Sequence, residues 1–123
     1  MSDYKIQEAL TYQDVLLVPQ YSDIRTRKEV DISADLQPGM KLPIPIIASP
    51  MDTVSERSMA DSLAQVGAMA IVHRYNTPES QASHVNDCLG LVGGAVGMTG
   101  DYRDRADILV SAGAQVWCVD VAH

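Results

Sequence analysis

From residue 44 onward the chain alternates short apolar runs with amphipathic stretches, and this alternation restricts it to very few folds. Residues 44–49 (IPIIAS) read as a strand. Residues 55–65 (SERSMADSLAQ) read as a helix, with Met59, Leu63 and Val66 recurring at spacings of four and three. Gly67 stands where a helix C-cap belongs. Residues 68–72 (AMAIV) form a second apolar strand. Thr77-Pro78-Glu79 then opens a second helix, with a capping hydroxyl before a proline at the first helical position, and that helix runs to about Leu89. Residues 93–98 (GGAVGM) make a third strand. Asp101 or Thr99 caps a third helix that runs through Ser111 and closes at Gly113, and residues 116–121 (VWCVDV) make a fourth strand. Strand and helix repeated three times, followed by a strand, predict an α/β fold of parallel strands joined by right-handed crossovers. A doubly wound sheet and a (β/α)8 barrel both satisfy the pattern. If the fold is a barrel, this is its first half, because a complete one needs roughly 250 residues.

Ahead of this repeat, residues 1–43 read as an irregular arm. Residues 9–18 (ALTYQDVLLV) suit a short strand or hairpin arm before Pro19. Residues 20–33 mix charges and hydroxyls without a period, and Pro38-Gly39 signals a turn. The expected organisation is therefore an arm over 1–43 and a half barrel over 44–123.

The charge balance narrows the partners. A net charge of −7 argues against a nucleic acid or an anionic membrane, both of which need a basic surface. It leaves a nucleotide open, since helix N-termini and loop amides bind phosphates without changing net charge. No apolar stretch approaches the roughly 20 residues a bilayer requires. The opening MSDYKIQEAL has no apolar signal core, and Cys88 and Cys118 lack CxxC spacing, so a reducing cytoplasmic setting is expected.

In either architecture ligands gather at the C-terminal ends of the strands. Those ends are Ser49-Pro50-Met51-Asp52-Thr53, His73-Arg74-Tyr75-Asn76, Met98-Thr99-Gly100 and Asp120-Val121-Ala122-His123. All four carry polar or unusual residues, while the strand bodies are apolar. Each has a plainer explanation in turn chemistry: Thr53 or Ser55 as a helix cap with Glu56 in the first turn, and His73 as a structural histidine. Arg74 is harder to explain as core, and a cationic plane beside a cofactor ring or phosphate is a reasonable role. His84 is expected to be exposed. GGAVGMTG lacks the GxGxxG spacing and the GKS/GKT ending, so neither the dinucleotide fingerprint nor the P-loop is present. Three scattered histidines with no acidic pair at helical spacing give no metal site. Cys88 and Cys118 read as buried small hydrophobes.

Taken in order, YQDVLLVPQYSDI, EVDIS, PIIASPMDTVSE, IVHRYNTPE, GGAVGM and VDVAH resemble the IMP dehydrogenase/GMP reductase family, from about Leu10 to the end. The resemblance implies a (β/α)8 barrel that binds a purine nucleoside monophosphate, IMP or GMP, beside NAD or NADP. Ser49 and Met51 match positions that contact the nucleotide, the serine by its hydroxyl and the methionine beside the base. Asp120 matches the carboxylate that meets the nicotinamide ribose. Arg74 lies where the family sets a side chain against the adenosine half of the cofactor. The regulatory pair of CBS modules that many IMP dehydrogenases carry after the second helix is missing, since residues 86–90 run straight on. GMP reductases lack that pair too, whereas Ser49-Pro50-Met51 and HRYNTPESQ lean towards the dehydrogenase. The nucleophilic cysteine and the phosphate loops of the family lie after later strands, so no catalytic residue is assigned here and neither Cys88 nor Cys118 takes that role. The resemblance implies a homotetramer at full length. The competing expectations are a truncated chain that only binds nucleotide, and an unrelated doubly wound binding domain.

Overall fold

The computed structural model describes residues 7–122, and these divide into two compact units, Met1–Val30 and Asp31–His123. The first is irregular. Asp14 closes a turn on Thr11, its carboxylate accepting both the Thr11 N–H and hydroxyl at 2.8 Å. A single 3₁₀ turn, Arg27–Glu29, is capped by the Thr26 hydroxyl, which accepts from the Lys28 N–H. The strand or hairpin arm expected over residues 9–18 is not there. Leu16 and Leu17 stand almost fully exposed, and no backbone partner pairs with this stretch among the described residues.

The second unit begins with a hairpin in what the sequence presents as arm. β1 (Ala34–Gln37) and β2 (Met40–Leu42) pair antiparallel around the Pro38-Gly39 turn. Only Leu42 is buried, so no apolar alternation advertises these strands.

Four parallel strands follow in sequential order: β3 (Ile47–Ala48), β4 (Met69–Val72), β5 (Val92–Val96) and β6 (Val116–Val119). Helices α1 (Arg57–Gln65), α2 (Pro78–Val85) and α3 (Tyr102–Ser111) make the crossovers. Ala60, Val85 and Leu109, one from each helix, share a core with Ala70, Val72, Val92 and Val96. Alternation then turns Met69, Ile71 and Ala95 to the opposite face, where they meet Leu42 of the hairpin together with Val116 and Cys118. All three helices therefore cover the same face of a sheet whose strand order never reverses.

Several elements are shorter than the sequence suggests, each for a physical reason. β3 pairs over two residues, because Pro45 has no N–H and the Ile46 N–H turns back to the Ile44 carbonyl. α2 stops at Val85 instead of near Leu89. The Arg57 guanidinium reaches from α1 to the carbonyls of Asn86 and Asp87 at 2.8 and 2.9 Å, and Asp87 takes a left-handed φ of 57°. The hydroxyl of Thr77 does cap α2 by accepting the Ser80 N–H at 3.2 Å, with Pro78 first in the helix. Thr77→Ala is expected to lower stability by about 1 kcal/mol, read as a shifted denaturant midpoint with an unchanged slope. Among the described residues no helix is long and apolar enough to cross a membrane.

Candidate functional site

At the end of β3 the chain turns sharply into α1. The Met51 carbonyl accepts the N–H groups of Val54 and Ser55, and Thr53 adopts a left-handed φ of 59°. Ser55 is buried, and its hydroxyl donates to the Ser49 carbonyl rather than capping the helix. Glu56 holds the N-cap position but forms no side-chain cap. The expectation that Thr53 or Ser55 caps α1 is thus corrected: both hydroxyls are spent on the turn. The side chains of Ser49 and Met51 are exposed on this turn, as are those of Asp52, Thr53 and Val54. An exposed hydroxyl beside an exposed thioether can donate to a polar ligand atom and pack against a flat one.

Glu56 turns instead toward His73, which is only 2% exposed at the end of β4. His73 Nδ1 accepts the Tyr75 N–H at 3.2 Å, so the ring proton sits on Nε2, 3.3 Å from Glu56 Oε1. Both ring nitrogens are satisfied, and His73 fixes the start of the loop after β4. His84 is half-buried on α2, 4.0 Å from the same Glu56 oxygen.

Arg74, the next residue, spans the ends of three strands. Its Nε and Nη2 donate to the Asp120 carbonyl at 3.1 and 2.7 Å, and Nε also donates to Asp120 Oδ2 at 3.2 Å. Asp120 follows β6, and its N–H donates to the Val96 carbonyl at the end of β5. Gly97 lies alongside, where a Cβ would stand 3.4 Å from Arg74 Nη1, at the edge of ordinary contact. The Tyr75 ring lies 5.6 Å from the guanidinium carbon. Arg74 and Asp120 are each about one-third exposed, so an aspartate acceptor and a cationic plane face solvent side by side. A carboxylate here can accept from a hydroxyl-bearing ligand, and the guanidinium plane can lie against a flat one. No hydrogen bond or ion pair joins Ser49 or Met51 to this pair among the described residues. His123 lies outside them.

Beneath the Arg74 loop runs a polar network that the sequence did not single out. Gln81 is fully buried, and its Nε2 donates to the carbonyls of Val72 and Ala95 at 3.0 and 2.9 Å, joining β4 to β5. Its Oε1 accepts from Arg105 Nη1 at 2.9 Å. Arg105 Nη2 donates to the Asn76 carbonyl and to Asp101 Oδ2, both at 2.8 Å. Hydrogen bonding by Arg105 holds the Asp101 carboxyl below its ordinary 3.8. A depressed folded-state value means that the contribution of Asp101 is complete above about pH 4 and is lost as the pH falls through the lowered value. Asp101→Asn is therefore expected to be less stable than the parent near neutrality, with the gap closing under acid. Melting curves from about pH 6 down to about pH 3 would check this.

Neither thiol has the surroundings of a nucleophile. Burial pushes Cys88 up from its usual range, as does nearby Asp61, and burial with nearby Asp120 does the same for Cys118. A shallow pocket lined by Leu10, Thr11, Tyr12 and Val15 lies in the first unit and offers only apolar and hydroxyl groups.

Comparison with known proteins gives this geometry a context. A family model for the IMP dehydrogenase / GMP reductase domain matches residues 9–123. The inosine-5'-monophosphate dehydrogenase of Nitrosopumilus maritimus (strain SCM1) is 43% identical over 81 residues, covering 66% of this chain and 17% of that protein. The inosine-5'-monophosphate dehydrogenase of Aquifex aeolicus (strain VF5) is 48% identical over 81 residues, covering 66% of this chain and 16% of that protein. A GMP reductase of Leishmania donovani is 46% identical over 80 residues, covering 65% and 16%. The chain spans less than a fifth of the length of each of these relatives.

Proposed function

The chain belongs to the IMP dehydrogenase / GMP reductase family, and from that premise we propose that it supplies the cofactor side and part of the nucleotide cradle of a purine-nucleotide oxidoreductase. Residues 44–123 are then the first half of a (β/α)8 barrel, preceded by the arm. Sequential strand order with every crossover helix on one face supports this over a doubly wound sheet, whose order reverses at a switch point. In a barrel the C-terminal ends of the strands form the mouth, where ligands bind.

In this reading Ser49 donates its hydroxyl to a purine nucleoside monophosphate and Met51 packs beside the base. The Asp120 carboxylate accepts from the nicotinamide ribose, and Arg74 lies against the adenosine half of NAD or NADP. The nicotinamide supplies the hydride acceptor or donor. The residues of this chain bind and orient; the nucleophilic cysteine that forms the covalent purine adduct lies outside it, in keeping with the raised thiols of Cys88 and Cys118. The preferred reaction is IMP with NAD and water to XMP and NADH, on the strength of Ser49-Pro50-Met51. The likeness to a GMP reductase supports the second reading, GMP with NADPH to IMP and ammonia. A homotetramer in the cytoplasm completes the proposal.

One observation carries the assignment: Arg74 and Asp120, 46 residues apart, meet beside Gly97 at the sheet end where a cofactor would lie. The test is turnover by the complete polypeptide as the cell makes it. NADH formed from IMP and NAD supports the dehydrogenase, and NADPH consumed with GMP supports the reductase. Turnover of neither pair would overturn both.

A further inference from the structure

The buried cation beneath the Arg74 loop bonds that loop itself, at the Asn76 carbonyl. We propose that Arg105, on α3, is a positioning residue for the cofactor side of the site: it holds the loop after β4 in the conformation that carries Arg74 past Gly97 to Asp120. The inference rests on the reading of Arg74 and Asp120 as cofactor-facing residues.

The loop is fastened at two points, with Arg74 between them. At its start His73 is locked by Glu56 and by the Tyr75 N–H. At its end the fastening is Arg105, which is 6% exposed and gives Asn76 a charge-assisted hydrogen bond at the backbone carbonyl. The same guanidinium grips Asp101 at the start of α3 and Gln81 inside α2, and Gln81 in turn binds the carbonyls of both β4 and β5. One side chain thereby sets the height of the loop relative to two strands and two helices. The loop does not take this shape by its own preference. Asn76 Nδ2 is buried with no partner among the described residues, a cost that persists only where other bonds offset it. Turning the amide over would set its NH₂ against the guanidinium, since Asn76 Oδ1 now faces Arg105 Nη1 at 3.5 Å.

A lysine at this position keeps the charge but cannot serve three acceptors in one plane. In the complete polypeptide, Arg105→Lys is expected to weaken NAD binding about tenfold by titration calorimetry while leaving IMP binding unchanged. IMP serves as the control because Arg105 has no bond to the β3–α1 turn. In an Arg74→Ala background the lysine substitution is expected to add nothing, because Arg105 acts through Arg74. A purely structural role would weaken both ligands together, or would persist without Arg74; either result overturns the inference. So does NAD binding equal to that of the parent. A parent that binds IMP but no NAD overturns the cofactor-side reading itself, and this inference with it. If the lysine variant does not fold, Asp101→Asn removes a charged partner of Arg105 from an exposed position and is judged by the same outcomes.

Discussion

A Gly93→Val variant is expected to lose about 3 kcal/mol of unfolding free energy, read as a lower denaturant midpoint. The reason lies in the centre of the sheet. A Cβ at Gly93 would stand 2.4 Å from Ile71 Cδ1, 2.9 Å from the Val116 carbonyl oxygen and 3.2 Å from Val116 Cβ. The isoleucine methyl can rotate aside. The carbonyl cannot, because Gly93 and Val116 are register partners in the β5–β6 ladder. Relief must come from prising the two strands apart, so the cost appears as loss of the β5–β6 pairing. Gly93→Ala carries the same backbone clash with fewer additional atoms and is expected to fall between the parent and the valine variant. A valine variant within about 0.5 kcal/mol of the parent would mean that this approach is softer than the geometry implies.

The largest expected effect on activity is at Asp120. In the complete polypeptide, Asp120→Ala is expected to lower kcat/KM for NAD about a hundredfold, the scale of about 2.7 kcal/mol that losing charge-assisted hydrogen bonds produces. The variant is a clean probe of binding because Arg74 donates to the Asp120 backbone carbonyl as well as to its carboxylate. Truncating the side chain therefore leaves the tether between β4 and β6 in place, and melting temperature should move little. Asp120→Asn keeps an acceptor oxygen without the charge and should fall between alanine and the parent. Equal kinetics for Asp120→Ala and the parent would remove the carboxylate from the cofactor side.

Much of the fold was legible because its signals are local. Thr77-Pro78 marks the start of α2, Gly67 follows α1, and four apolar runs give four parallel strands in a mixed α/β domain. The errors came where distant groups decide. α2 ends early because Arg57 reaches across from α1. Glu56, expected in the first turn of α1, stands at its N-cap and turns its side chain to His73, 17 residues on. The hairpin over residues 34–42 buries too little to show a pattern. The same division runs through the candidate site. Arg74 and Asp120 could be singled out by position and resemblance, but not their meeting, which depends on how three strand ends come together. Gln81 and Arg105 carry no such signal, because an amide and a cation on helices read as solvent-facing in one dimension. Their one visible clue is that Gln81 precedes Val85 by four residues and so shares its buried side of α2.

The turn after α2 is held by α1. Residues 86–90 lie mostly at the surface, yet both stems are secured from α1: Arg57 grips the carbonyls of Asn86 and Asp87, and Asp61 accepts the Leu89 N–H at 3.0 Å. A connection fastened on both sides works as a socket. Polypeptide inserted between Asp87 and Cys88 adds only the slowly growing entropy of a longer loop, while the strands below keep their register. The turn can therefore be lengthened in this chain without moving the sheet end where Arg74 and Asp120 meet.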